Sequence, residues 1–289
     1  MPVSLSGSAA PTATVAIPSK GRLRESVLEL LRNAGYNVSR LGSGASGVVE
    51  GIEFIEMRPR DAAAWLAAGE LTAAFISTDT ALENNIETLP SIGLGFARSD
   101  LIVACRTEAP YTSMADLEGA TVATHLPNWT KRWFDSAGVS VTVVPMGGSL
   151  EGICARGLAD AIVDLRETGS SLARNSLHAI AEGEQCEAIL SWGDDPNASV
   201  AGLRLRIEAA QAARRTQYLM LHLPPEKVDA LQGIFPGLAA PTILPLTGRD
   251  DLVAAHMVVQ RDRLWSVLTD LRTLGATGIV ALPTDAILE

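Results

Sequence analysis

Short apolar runs alternate with helical repeats along most of the chain. TVAI (14–17) is a compact apolar run, and Leu23, Val27, Leu30 and Leu31 then recur at helical spacing before Gly35 closes the repeat. The same rhythm predicts strands at EFIEM (53–57), TAAFIS (72–77), LIVACR (101–106), ATVATH (120–125), VTVVP (141–145) and DAIVDL (160–165). It predicts helices at PRDAAAWLAAG (59–69), NWTKRWFDSAG (128–138), SLEGICARG (149–157) and about 200–215. Strands alternating with helices imply parallel sheets of the doubly wound type. A return strand is expected within EQCEAILSW (184–192), followed by the polar turn GDDPNAS (193–199).

The rhythm changes near residue 214. Strands are expected at QYLMLHL (217–223), APTILPL (240–246), LVAAHMVV (252–259) and GIVALP (278–283), with helices at 226–235 and 262–275. That order, βαββαβ, is ferredoxin-like. The chain therefore reads as an α/β body of two lobes plus a small α+β domain. The expected division is a disordered tail over 1–13, lobe I over 14–104 with 187–213, lobe II over 105–186, and the ferredoxin-like domain over 214–289.

Composition narrows the function classes. The chain has 289 residues and is 47% hydrophobic, enough for a large core. Its formal net charge of −10 argues against general nucleic-acid or anionic-membrane binding, since both need a basic surface. Cys105, Cys154 and Cys186 are widely spaced, with no zinc or disulfide pattern, which fits a reduced cytoplasmic setting. The four histidines are scattered, and the first 13 residues lack the features of a secretory signal.

The sharpest chemical signal is ADAIVDLRETGSSL (159–172), where an apolar strand ends in Asp164 and runs into a Thr/Gly/Ser turn before a helix. Backbone N–H groups at such a turn bind anions, and Thr168, Ser170 and Ser171 add hydroxyl donors. An ordinary capped turn reads the same way. In PMGGSLEG (145–152), Glu151 falls in the first helical turn, where it suits either the helix dipole or a bound donor and its metal. Lys20, Gly21 and Arg22 follow the first strand, and Arg58 and Arg60 follow the next, at the sheet edge where open α/β folds take ligands.

Together these segments resemble the ATP phosphoribosyltransferase family, from about Val15 to Leu288. The block GGSLEGICARGLADAIVDLRETGSSL (147–172) is similar to the family signature, with Ser171 in place of its closing Thr. KGRL (20–23), RPRD (58–61), APTILPL (240–246) and LGATGIVALP (274–283) look like the family too. The resemblance implies type II periplasmic-binding-protein-like lobes, 5-phosphoribosyl-1-pyrophosphate as donor, ATP as acceptor and Mg2+ as cofactor. It implies that Asp164 and Glu151 act at the ribose or metal. Leu165, Arg166, Glu167, Thr168, Gly169, Ser170 and Ser171 would form the donor phosphate loop. Lys20, Gly21, Arg22, Arg58, Arg60 and Asp79 would meet ATP or pyrophosphate. The appended domain marks the long form of the family, with a histidine effector near His222, Thr242 and Ala276 and assembly into a dimer or hexamer.

AAFISTDT (73–80) departs from the family's Gly-Ile-x-Gly-x-Asp run, with Ala74 and Ser77 at the glycines, Thr72 where an Asp is usual, and Asp79 retained. Leu126-Pro127 replaces Tyr-Pro. These changes favour a rival reading, a paralogue transferring phosphoribose to a different acceptor; a non-catalytic small-ligand binding or regulatory subunit is a further alternative, and the intact donor loop argues against it.

Overall fold

The computed structural model describes residues 12–41, 46–194, 197–235 and 241–288. Most of the expected disordered tail (1–13) lies outside the described residues, although Ala13 opens the first strand. Chain contacts define two compact units: a large one through Glu29 and from Asn37 to Ala201, and a smaller one of Leu30–Tyr36 and Gly202 onward.

The large unit begins with β1 (Ala13–Pro18), α1 (Gly21–Asn33), β2 (Gly47–Val49), β3 (Ile52–Met57), α2 (Pro59–Ala67), β4 (Ala73–Ser77), α3 (Thr78–Glu83) and β5 (Ser91–Gly93). The chain then crosses to β6 (Ser99–Arg106), β7 (Thr121–Thr124), α4 (Pro127–Ser136), β8 (Thr142–Pro145), α5 (Leu150–Ala155), β9 (Ala161–Arg166), α6 (Ser170–Arg174) and β10 (Leu177–Cys186). It returns through β11 (Ala188–Trp192) to α7 (Ala198–Arg215). Lobe I is a six-stranded sheet, β2-β3-β1-β4-β11-β5, and lobe II a five-stranded sheet, β10-β6-β9-β7-β8. Two such lobes form a periplasmic-binding-protein-like body.

The sheets are mixed, which corrects the expectation of parallel ones. β1, β3 and β4 are parallel, as are β7, β8 and β9. The strands next to the crossings run the other way: β11 is antiparallel to β4 and β5, and β6 to β9 and β10. A strand that enters a sheet from the other lobe is not tied to it by a βα crossover, so it need not be parallel. The whole of β6 lies in the second sheet, so the crossing precedes the expected break at 104.

Burial follows from coverage of the sheets. Val15, Ala16, Ile17, Val103, Ala104 and Ile162 are buried because helices cover both faces. Leu101, Val103, Val122, Phe134 and Val163 pack on one face of the lobe II sheet, and Ile102, Ala104, Leu150, Ile162 and Leu172 on the other.

The smaller unit continues with β12 (Thr216–Leu223), a 3-10 turn over Pro225–Ala230, α8 (Leu231–Ile234), β13 (Thr242–Leu246), β14 (Arg249–Gln260), α9 (Arg261–Thr273) and β15 (Thr277–Leu282). Its antiparallel order, β13-β14-β12-β15, is the ferredoxin-like arrangement expected. Leu219, Leu221, Leu223, Ala255, Met257, Val267 and Leu271 form its core.

Candidate active site

The groups of interest leave the carboxyl ends of the parallel strands, where open α/β sheets bind ligands. In lobe I, β1 leads to Lys20, Gly21 and Arg22, β3 to Arg58 and Arg60, and β4 to Asp79. In lobe II, β7 leads to His125, β8 to the turn before Glu151, and β9 carries Asp164 and leads to the 167–171 loop.

Asp164 stands at the centre. Its Oδ1 accepts from the Leu165 N–H at 2.8 Å and lies 3.6 Å from His125 Nδ1. On the other side of the ring, Nε2 is 3.9 Å from Asp79 Oδ2. Both separations exceed hydrogen-bond length but are short for charges. Burial pushes the Asp164 carboxyl above the ordinary aspartate range; Leu165 N–H and His125 oppose the shift, and the nearby Glu151 and Asp79 charges add to it. Asp79 is buried, and its Oδ1 has no hydrogen-bond partner among the described residues. Three carboxylates and an imidazole thus converge from both lobes, with an acceptor oxygen to spare. The sequence reading passed over His125 as one of four scattered histidines; its place just after β7, at the carboxyl edge of a strand, was the available signal.

The 167–171 loop is built for tight curvature. Gly169 adopts φ +77° and caps the short α6, a conformation costly for other residues. Thr168 Oγ1 donates to Ser170 Oγ at 3.2 Å. Arg166 turns away from the loop, its guanidinium held by Asp100 at 2.9 Å and Glu182 at 2.8 Å, and Leu165 packs against the lobe II core. Glu167 reaches across to Arg22 at 2.9 Å, but at 83% and 52% side-chain exposure the pair is a weak tie. Together with Lys20, Leu23, Ser26, Ala97 and Arg98, these two residues line a cavity of about 530 Å³ between the lobes. Arg98 is a third cation there that the sequence reading missed. Ser149, a non-glycine residue at φ +58°, opens α5 and places Glu151 in its first turn.

The Arg60 guanidinium donates to the His125 carbonyl, tying the two lobes, whereas Arg58 is exposed at the start of α2. A second tie comes from Glu83 on α3, whose carboxylate accepts from the Asn128 N–H at 3.2 Å and the Trp129 N–H at 3.0 Å.

The departing side chains in 72–80 are taken up locally. Ala74 sits in the lobe I core, Thr72 Oγ1 accepts from the Thr14 N–H at 3.0 Å, and Ser77 hydrogen-bonds Thr80 at 2.9 Å. Leu126 is likewise buried in lobe II. In the smaller unit, His222 lies beside Gly278, and Ala276 is buried; Thr242 pairs with His256 two strands away from His222. The three effector candidates do not gather around one point within a single chain.

Residues 58–205 match the family described as ATP phosphoribosyltransferase, and residues 213–286 the family described as HisG, C-terminal domain. The chain belongs to the ATP phosphoribosyltransferase family. An ATP phosphoribosyltransferase of Gemmatimonas aurantiaca is 34% identical, covering 95% of this chain and 99% of that protein. One of Methanococcoides burtonii is 30% identical over the same shares. Among solved structures, a chain of the ATP phosphoribosyl transferase (HisG:HisZ) complex from Thermotoga maritima is 26% identical with a TM-score of 0.59. That similarity covers 68% of this chain and 96% of the other. The match to the C-terminal family identifies this chain as a long form of the family.

Proposed function

We propose that this chain joins C1 of the ribose of 5-phosphoribosyl-1-pyrophosphate to N1 of the adenine of ATP, the first step of histidine biosynthesis. The N1 lone pair forms the new bond to C1, and the bond from C1 to the pyrophosphate oxygen breaks, its electron pair leaving with pyrophosphate. The observation that carries this reading is the half-buried Asp164, set among Glu151, His125 and Asp79 and followed by the tight 167–171 loop.

In this reading Asp164 accepts hydrogen bonds from the ribose hydroxyls, and the backbone of 167–171 with the Thr168, Ser170 and Ser171 hydroxyls holds the 5-phosphate. Arg166, taken up by Asp100 and Glu182, contributes through its backbone and supports the loop. As the C1–oxygen bond lengthens, the ring gains positive character, and the Asp164 and Glu151 carboxylates stabilise it. Lys20, Arg22, Arg58 and Arg60 stabilise phosphates of ATP and of the leaving pyrophosphate. Positioning and electrostatics then carry the rate, and no protein nucleophile is needed.

Mg2+ fits these residues. Among the described residues no group of three acidic, histidine or cysteine side chains forms a cage. Mg2+ ordinarily takes one or two carboxylates together with substrate phosphates, and Asp164 with Glu151 offers that pair. When bound, the ion would neutralise charge on the departing pyrophosphate.

The ferredoxin-like domain would take histidine as an effector near His222, Thr242 and Ala276. Since these do not meet within one chain, a neighbouring copy would complete the pocket in a dimer or hexamer. The cytoplasm suits both substrates, and no helix among the described residues is long and apolar enough to cross a membrane.

The test is genetic. A bacterium lacking its own ATP phosphoribosyltransferase should grow without histidine when given this gene and fail when given its Asp164→Asn variant. Failure of the unaltered gene despite ample folded protein would contradict the proposal.

A further inference from the structure

In the smaller unit a cavity of about 400 Å³ is lined by residues from the ends of α1 and α7, the start of α9 and the segment after β15. Arg32, Arg214 and Arg261 line it, and Asp285 is the one carboxylate in the lining. Three positive charges therefore face one negative charge in a chain of formal net charge −10. None of these residues belongs to the candidate catalytic cleft.

Two of the arginines have a local explanation. Arg32 and Arg214 occupy the last turns of α1 and α7, where a helix end favours a cation. Arg261 has the opposite setting. It is the first residue of the 13-residue α9, where the dipole disfavours a cation, and Gln260 before it makes no side-chain cap bond. Neither Arg32 nor Arg261 has an ion-pair partner among the described residues. Thr284 also lines the cavity, and its Oγ1 is buried without a hydrogen-bond partner. Helix-end electrostatics leaves Arg261 unexplained; an anion in the cavity accounts for it.

We propose that this cavity binds a small phosphate-bearing anion, gripped by Arg32, Arg214 and Arg261. Guanidinium forks match phosphoryl oxygens in pairs, which selects phosphate over a single-point anion such as chloride. The phosphoryl group arrives either as free phosphate or pyrophosphate, or on a nucleotide.

The test is phenylglyoxal labelling of the full chain, mapped by peptide mass spectrometry, with inorganic phosphate, pyrophosphate or ADP present in turn. Protection of Arg32 and Arg261 by the free anions assigns the site to them, and protection by ADP alone assigns it to a nucleotide phosphate. An Arg32→Ala/Arg261→Ala variant with unchanged circular dichroism should lose about tenfold or more in affinity for the protecting anion. If that variant fails to fold, Arg32→Lys/Arg261→Lys keeps the charges without the forks and should still bind measurably more weakly. Unchanged labelling at both arginines with all three probes, or equal anion affinity in the folded variant, would overturn the proposal.

Discussion

Asp164 pairs a desolvated carboxylate with two like-charged neighbours, Glu151 and Asp79. That arrangement disfavours ionisation, so it works against stability wherever the group is charged. Asp164→Asn should therefore leave the melting temperature unchanged or higher, while kcat/KM for the phosphoribosyl donor falls about 100-fold or more, roughly 2.7 kcal/mol of transition-state stabilisation. Steady-state kinetics beside thermal melts checks both halves. The cysteines behave differently. Burial raises the Cys105 thiol and pushes Cys154 up to about 11 and Cys186 up to about 12. The folded protein should resist iodoacetamide at pH 8, and labelling should become rapid only in denaturant. The unfolded chain releases these protons at lower pH than the native one, so stability should decline as pH rises through the unfolded thiol range and beyond. Asp164 and the Thr/Gly/Ser turn were legible in the sequence because a strand ending in a carboxylate before such a turn is a local pattern. His125 was not, because its importance lies in two partners 46 and 39 residues away in the chain.

The elements that hold the site depend on contacts that no local pattern records. The N-cap of α4, Leu126, makes no side-chain cap bond, and Glu83 on α3 does that work from the other lobe. Glu83→Ala should leave two first-turn N–H groups without their acceptor and cost about 1–2 kcal/mol, read from urea unfolding. Gly169→Ala would force a side chain into φ +77°, at a cost of about 1–2 kcal/mol, and should weaken donor affinity by distorting the loop. At this scale β1, β3, β4, β7, β8 and β9 were readable as apolar runs, since both faces of their sheets are covered. β10 escaped notice. It is an edge strand with two register irregularities, and its apolar residues fall consecutively at half-exposed positions before an exposed polar end, so its alternation is broken. Of the glycine replacements in 73–80, Ala74 packs into the lobe I core, a placement that the linear run does not disclose.

At the scale of the whole molecule, the order of elements disclosed two α/β lobes and a ferredoxin-like domain, because each carries its own hydrophobic rhythm. The mixed sense of the large sheets was hidden, because it depends on where the chain crosses between lobes and not on any strand's composition. The two-lobed body sets Lys20 and Arg22 of lobe I across from the Glu167 loop of lobe II, and the proposed transfer uses that arrangement to position its reactants. Its most direct test is pyrophosphate release by the purified chain supplied with 5-phosphoribosyl-1-pyrophosphate, Mg2+ and ATP. Release that depends on ATP, yields adenine ribosylated at N1 and disappears in Asp164→Asn is the expected result. Release that ignores ATP and answers only to a different acceptor would contradict it.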